Sequence, residues 1–399
     1  MRSKRALRVA VCVMVAVGAL GAAAPAERDI SLRLEGQAAV RRALAYLADQ
    51  QKENGSWQDQ PAITGLVVTG MIGSGLPEYG TDSEPVSRGL DYIRSFARPD
   101  GGIYDRFYAS YSTSICAMAL VEAGLPQDEE LLANAQRFLL DAQADEDEDI
   151  SPDQPQYGGW GYEPQPSGEG MRRVDMSNTQ LALEAVRSLE AVAEEDAPPA
   201  GAAQGDKTRT ELAYGRAIRY LERCQNRQAT NDQPWAGNDG GFVYRPGESK
   251  AGPSPDGGLR SYGGMTYAGL KSMVYARLDR NDPRVQAAYD WIRRNWSVTE
   301  NPGLGHQGLY YYYLTMAKAL NAYGVERIVE PGGTAHDWRR ELVDQLLTVQ
   351  NGDGSWVNTS GRWMETVPEL ATAYSVLAIE QALAGWEKQH KLRILNSEL

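Results

Sequence analysis

The stretch Gln51-Lys52-Glu53-Asn54-Gly55-Ser56-Trp57 returns near the other end of the chain as Gln350-Asn351-Gly352-Asp353-Gly354-Ser355-Trp356. Both read Q-x-x-x-G-S-W. Each follows a segment whose apolar residues recur at three- and four-residue spacing, AAVRRALAYLADQ before Gln51 and WRRELVDQLLTVQ ending at Gln350, the periodicity of an amphipathic helix. Each is followed by a second helical segment rich in small apolar residues, from Ile63 and from Val367.

Degenerate copies lie between these two. Helical segments ending near Ala97, Gln143, Gln225 and Trp296 lead into Gly-aromatic turns at Tyr104, Trp160 and Phe242, and into the run GLGHQGLYYYY from Gly303. The chain therefore reads as six copies of outer helix, turn, inner helix. The second helices share a hydroxyl residue followed three positions on by a small or branched one: Thr64/Val67, Ser114/Ala117, Thr179/Ala182, Thr266/Gly269 and Thr372/Ser375. Small side chains at helical spacing let helices approach closely, so the second helices are expected inside and the charged first helices outside. An open solenoid carries atypical capping repeats at its ends. Here the first and last copies are the most regular, which favours closure into an all-α (α/α)6 toroid.

Composition sets the outer limits. The 399 residues carry 40 Lys+Arg against 53 Asp+Glu, a net charge of −13. An acidic chain with no basic run in its body is expected neither to bind nucleic acid nor to present a strong membrane-surface patch. The sequence does not fix the oligomeric state. Residues 1–26 combine Arg2, Lys4, Arg5 and Arg8 with an apolar run and an Ala24-Pro25-Ala26 site, the pattern of a signal peptide. An exported protein, periplasmic or extracellular, is expected after cleavage near Ala26; losing four positive charges and no negative ones takes −13 to −17. The mature part, 27–399, then reads as one toroid with inserts near 144–156, 194–208 and 245–260. The first insert reads as a solvated acidic loop, and the Gly-, Pro- and Ser-rich stretch from Pro246 to Gly264 around the third as a lid over the toroid mouth. Cys116 and Cys224 remain in the mature part; they either pair or serve as buried small hydrophobes.

On these turns the chain resembles the terpenoid cyclase/protein prenyltransferase superfamily, whose squalene cyclases carry the QW repeat. The match is strong at Gln51/Gly55/Trp57 and Gln350/Gly354/Trp356 and degenerate at Tyr104, Trp160 and Phe242. It covers about 35–390 and is closest in style to exported bacterial squalene-cyclase-repeat proteins. The resemblance implies a central cavity for an isoprenoid or another hydrophobic small molecule, with Gln and Trp tying each outer helix to the next turn. It also implies an Asp proton donor in a D-x-D-D motif at an inner-helix start. The corresponding place here is Asp175-Met176-Ser177-Asn178, with Ser177 at the donor position; a serine hydroxyl does not protonate an alkene. Zinc of the prenyltransferase kind needs an Asp-x-Cys and a His, and neither cysteine has that neighbour. No metal site and no cofactor motif is expected.

Inner-helix starts face the mouth of a toroid. The candidate acids there are Asp105, Asp175 and Glu365, with His306 as a possible partner; the cavity-lining candidates are Asn178, Tyr262, Tyr267, Tyr310 and Tyr311. The acids equally suit helix capping, Asp175 standing three residues before Asn178. Tyr310 to Tyr313 wrap most of a helix circumference at about 100° per residue, so only one or two face the axis. Three functions follow: an isoprenoid-binding or isoprenoid-converting protein, a carbohydrate-active α/α-barrel enzyme, lyase or glycosidase, for which acids with tyrosines are suited, or a non-catalytic binding or scaffold module.

Overall fold

The computed structural model describes residues 25–163, 173–195 and 204–397. The expected signal peptide lies outside these residues except for its last two, and so does most of the insert near 194–208. Twelve α-helices follow in order: α1 (Pro25–Asp49), α2 (Pro61–Gly73), α3 (Glu84–Arg94), α4 (Ala109–Ala123), α5 (Glu129–Asp141), α6 (Met176–Glu195), α7 (Gln204–Cys224), α8 (Gly263–Tyr275), α9 (Pro283–Arg294), α10 (Leu309–Tyr323), α11 (Trp338–Thr348) and α12 (Pro368–Ser397).

The even-numbered helices form the inner ring. Each packs against the next, α2 on α4 through to α10 on α12, and α12 returns to α2. The odd-numbered helices lie outside, most of them against the inner helix that precedes them; α1 packs on α11 and α12 and closes the outer ring. Burial separates the two sets as their composition foretells. Inner α4 buries 11 of 15 residues and α8 buries 11 of 13, whereas outer α3 buries 4 of 11 and α9 buries 4 of 12. The fold is thus the all-α, six-pair α/α toroid.

The turns explain why the repeat is needed. Each of the six turns has a glycine in the left-handed region: Gly55 at φ 84, Gly101 at 92, Gly158 at 87, Gly240 at 84, Gly303 at 89 and Gly354 at 92. At Gly354 a Cβ would lie 2.6 Å from the Arg42 carbonyl oxygen of α1, and at Gly158 1.9 Å from that of Arg216 of α7. At every one of these turns but that of Gly303 the backbone touches the next outer helix, and only glycine fits there. Four glutamines make the same double clasp. Gln51 Nε2 donates to the carbonyls of Gly55 and Pro85 at 2.9 and 2.8 Å, Gln143 to Gly158 and Ala213 at 2.8 and 2.9 Å, and Gln225 to Gly240 and Arg284 at 2.9 and 2.8 Å. Gln350 donates to Gly354 and Ala39 at 2.9 and 3.0 Å. That last clasp joins the sixth copy to the first helix.

The turn side chains Trp57, Trp160, Phe242 and Trp356 are buried, as is Ile103 in the second copy, where Tyr104 beside it is only half-buried; the indole N–H of Trp57, Trp160 and Trp356 donates to Leu47, Leu139 and Leu346 at 2.7, 2.7 and 2.9 Å. The inner-helix hydroxyls receive the turn backbone: Trp57, Trp160, Phe242 and Trp356 N–H donate to Thr64, Thr179, Thr266 and Thr372 Oγ1. In the second copy the acceptor is Thr113, at 2.9 Å from Ile103 N. Ser114, expected there, instead donates to the Ser110 carbonyl of its own helix.

Cys116 and Cys224 are both free and buried, and burial pushes both thiols up. The acidic insert is less solvated than its composition suggests. Asp145 is buried and sits 3.0 Å from Arg216, while the buried Arg223 guanidinium donates to the Pro152 and Gln154 carbonyls and to Asp232. Ahead of α11 a short antiparallel pair, β1 (Ile328–Val329) and β2 (Ala335–His336), joins Ile328 to His336 and Val329 to Ala335.

Candidate functional site

The first turns of the inner helices surround one cavity of about 310 Å³ at the mouth of the ring, at the small end of the range for ligand pockets. All six inner helices or the residues leading into them contribute: Ile63 and Leu66 of α2, Tyr111 and Ser112 of α4, Ser177 of α6, Met265 of α8, Tyr311 of α10, and Leu370 and Tyr374 of α12. Seven tyrosines reach the wall: Tyr108, Tyr111, Tyr162, Tyr244, Tyr262, Tyr311 and Tyr374. Aliphatic side chains fill most of the remainder, with Gln60, Ser112, Ser177 and Asn301 as the other polar side chains. No charged side chain lines it among the described residues.

The tyrosines pack into one another. The hydroxyls of Tyr111 and Tyr374 lie 3.3 Å apart, Tyr311 meets Tyr374 edge-on at 6.1 Å, and Gln180 Nε2 donates to the Tyr311 hydroxyl at 3.1 Å. These three rings form the floor. Burial raises the phenols of Tyr111, Tyr262, Tyr311 and Tyr374 above their ordinary values, so they are neutral hydrogen-bonding groups.

The rim is apolar and strained. Tyr108, Trp363 and Met364 line the opening with φ of 60, 58 and 61, a backbone conformation that costs non-glycine residues about 1–3 kcal/mol each. Tyr108 is 54% exposed, Met364 53% and Trp363 42%, beside Phe107 at 68%. Trp363 is seated on Gly308, where a Cβ would fall 2.9 Å from its ring, and Arg362 stacks over it at 4.4 Å. The overhang thus comes from residues 362–364. The stretch from Pro246 to Gly264, expected as a lid, reaches the wall only at its end, through Tyr262 and Gly264; its earlier part folds on itself through bridges of Arg245 to Glu248 and Pro253 to Leu259.

The four candidate catalytic residues do not converge. Asp105 stands in an exposed turn, with Arg98 at 3.8 Å. His306 is exposed, and its carbonyl accepts from Asn358 at 2.7 Å. Both lie off the cavity wall, because their turns carry them outward. Glu365 is buried as a helix cap: its carboxylate accepts from the backbone N–H of Tyr311 at 2.8 Å and from Asn358 at 2.6 Å. Burial raises its carboxyl against those donors. Asp175 caps α6, accepting from the Asn178 backbone N–H at 3.0 Å and its side-chain amide at 2.9 Å. Burial pushes the Asp175 carboxyl up to about 6, opposed by those bonds and by the Tyr244 hydroxyl beside it. It sits one layer behind the wall, where its neighbour Ser177 is exposed to the cavity.

Of the expected cavity residues, Tyr262 and Tyr311 line it. Asn178 is buried against Asp175. Tyr267 turns into the core and packs edge-on against Tyr312 at 5.5 Å. Tyr310 donates to the Val357 carbonyl at 3.3 Å, and Tyr312 and Tyr313 donate to the carbonyls of Ser297 and Val298 at 2.7 Å. One tyrosine of the four faces the axis. Tyr162 and Tyr244, unselected from sequence, had a signal: each stands two residues after the turn aromatic, at Trp160 and Phe242. Among the described residues, no three His, Cys, Asp or Glu side chains are grouped to hold a metal ion.

Solved structures with this fold include the type II terpene cyclase MstE from Scytonema in its apo form, 13% identical over 88% of this chain and 99% of that chain, with a TM-score of 0.53. A variant of the same cyclase with its substrate geranylgeranyl dihydroxybenzoate is 13% identical over 89% and 99%, TM-score 0.52. A family 76 glycoside hydrolase from a bovine Bacteroides thetaiotaomicron strain is 12% identical over 88% and 78%, TM-score 0.52. At these identities the likeness is one of fold. No protein-family model and no curated protein matches the chain.

Proposed function

We propose that this chain binds an isoprenoid-type hydrophobic small molecule in the axial cavity and does not cyclise it by carboxylic-acid protonation. The observation that carries this reading is the wall: seven tyrosines with mostly aliphatic side chains and, among the described residues, no charged group, behind an exposed apolar rim. Tyrosine offers an apolar face with one hydroxyl, which suits a long hydrocarbon bearing an isolated oxygen. The type II cyclase with this fold is seen with a geranylgeranyl compound, which supports the same ligand class here. The donor position of the D-x-D-D motif holds Ser177, and the nearby Asp175 spends its oxygens on Asn178. A glycosidase would need two carboxylates about 5–9.5 Å apart facing the substrate; among the described residues no carboxylate lines this wall. We further propose that the protein is exported, the amino-terminal residue of the purified protein being the check.

The test is capture of lipids from a cell extract by the purified chain, read by mass spectrometry, beside Ile63→Trp, which puts an indole into the cavity. Polyprenyl species are expected with the wild type and not with Ile63→Trp. Recovery of none, or equal recovery by both, refutes the reading.

A further inference from the structure

Below the tyrosine floor lies a second chamber of about 30 Å³. It shares Leu66, Tyr111, Tyr311 and Tyr374 with the upper cavity, so the floor separates two spaces on one axis. Its chemistry is the opposite of the upper one. Glu184 of α6, Lys271 of α8 and Lys318 of α10 all reach it. Lys271 Nζ lies 2.5 Å from Glu184 Oε2 and Lys318 Nζ 2.5 Å from Oε1, the three side chains being 2%, 17% and 9% exposed for Lys271, Lys318 and Glu184.

Two features are unbalanced. An ammonium carries three N–H donors, and among the described residues each of these lysines makes one hydrogen bond, to Glu184. Lys271 Nζ also lies over the Tyr275 ring, 5.8 Å from its centroid. One carboxylate between two ammonium groups also leaves a net charge of +1 in a largely buried chamber, and an uncompensated buried charge is expensive. On the same wall Gln180 has a buried Oε1 with no partner. Exchanging its amide O and N, which are not told apart by shape, would turn an N–H toward the chamber and let the oxygen accept from Tyr311.

We propose that this chamber binds one small monovalent anion of the chloride or bromide class, held by Lys271 and Lys318. The anion neutralises the triad and takes up donors that Glu184 leaves unused. The chamber has room for an ion of that size: a single water needs about 10–15 Å³ of such space, against about 30 Å³ here. The charge states agree. Burial alone would raise the Glu184 carboxyl, yet Lys271 and Lys318 hold it at about 2. Burial lowers Lys271 to about 8 against the support of Glu184, which leaves it mostly charged at neutral pH.

The experiment is thermal unfolding of the full chain at constant sodium, with gluconate replaced stepwise by chloride, for the wild type and Lys318→Met. A saturable rise in Tm of about 2–4 °C is expected for the wild type. It should vanish in Lys318→Met, which leaves a neutral Glu184–Lys271 pair and removes the more exposed of the two lysines. Wild-type crystals soaked in bromide should show an anomalous peak in the chamber, a readout that stands if the variant does not fold. A wild type indifferent to chloride, a variant that responds as the wild type does, or chamber density without anomalous signal would each overturn the proposal. None of these outcomes depends on what the upper cavity binds.

Discussion

Replacing Asp175 by asparagine tests whether its carboxylate is a burdened helix cap. Folding moves this carboxyl from 3.8 to about 6, chiefly by burial. The group is therefore easier to bury protonated than ionised. Each tenfold change in its acidity is worth about 1.4 kcal/mol, so the ionised form weakens the fold by about 3 kcal/mol. The sign follows from linkage: below about 4 the group is protonated in both states and costs nothing, and between about 4 and 6 the unfolded chain loses its proton first, so stability falls as pH rises. Asp175→Asn has no charge to bury. Its amide oxygen still accepts from the Asn178 backbone N–H, and Asn178 has a buried Oδ1 without a partner that can receive the new amide N–H once its own amide is exchanged. Urea unfolding of both proteins from pH 4 to pH 7 measures the effect. The variant should gain on the wild type by about 3 kcal/mol across that range and be no weaker at pH 7. A flat difference, or a variant more than about 1 kcal/mol weaker at pH 7, would refute the reasoning.

Gly354→Ala places a Cβ against the Arg42 carbonyl at φ 92, whereas Gly247→Ala at φ 81 meets nothing within 4 Å; denaturant unfolding should show the second losing about 1–2 kcal/mol and the first clearly more. Gln143→Ala strips hydrogen bonds from the buried turn and from the Ala213 carbonyl and should cost about 1–3 kcal/mol in the same assay. Cys116 and Cys224 are free and buried, so an alkylating reagent should add mass at these two sites only after denaturation; labelling in the native protein would contradict their placement.

The ring was legible because its signal is repeated. Gln51 and Gln350 announce the clasp twice, and the structure extends the same pair of bonds to Gln143 and Gln225. The cavity wall was legible only in part. Inner-helix starts do face the mouth, but which member of Tyr310 to Tyr313 points inward depends on helix rotation, set by packing against α8 and α12 rather than by residue type. Asp105 occupies the same turn register as Tyr162 and Tyr244, four residues after the left-handed glycine, yet it ends in solvent because Arg98 draws it to the outer surface. The overhang at Trp363 and Met364 rests on two consecutive left-handed residues, which nothing in their identity foretells. The Glu184 triad joins residues 87 and 134 positions apart, a convergence no local pattern carries.

The clasp from Gln350 to the Ala39 carbonyl bears on how the molecule opens. A stack of helix pairs with free ends can peel from either one, losing a repeat at a time. A ring stapled across its seam has no outermost repeat, so undoing any one pair strains two neighbours together. Hydrogen exchange in such a molecule should be shared around the circle, with the slowest amides of α2 and of α12 opening in a single event despite standing at opposite ends of the polypeptide.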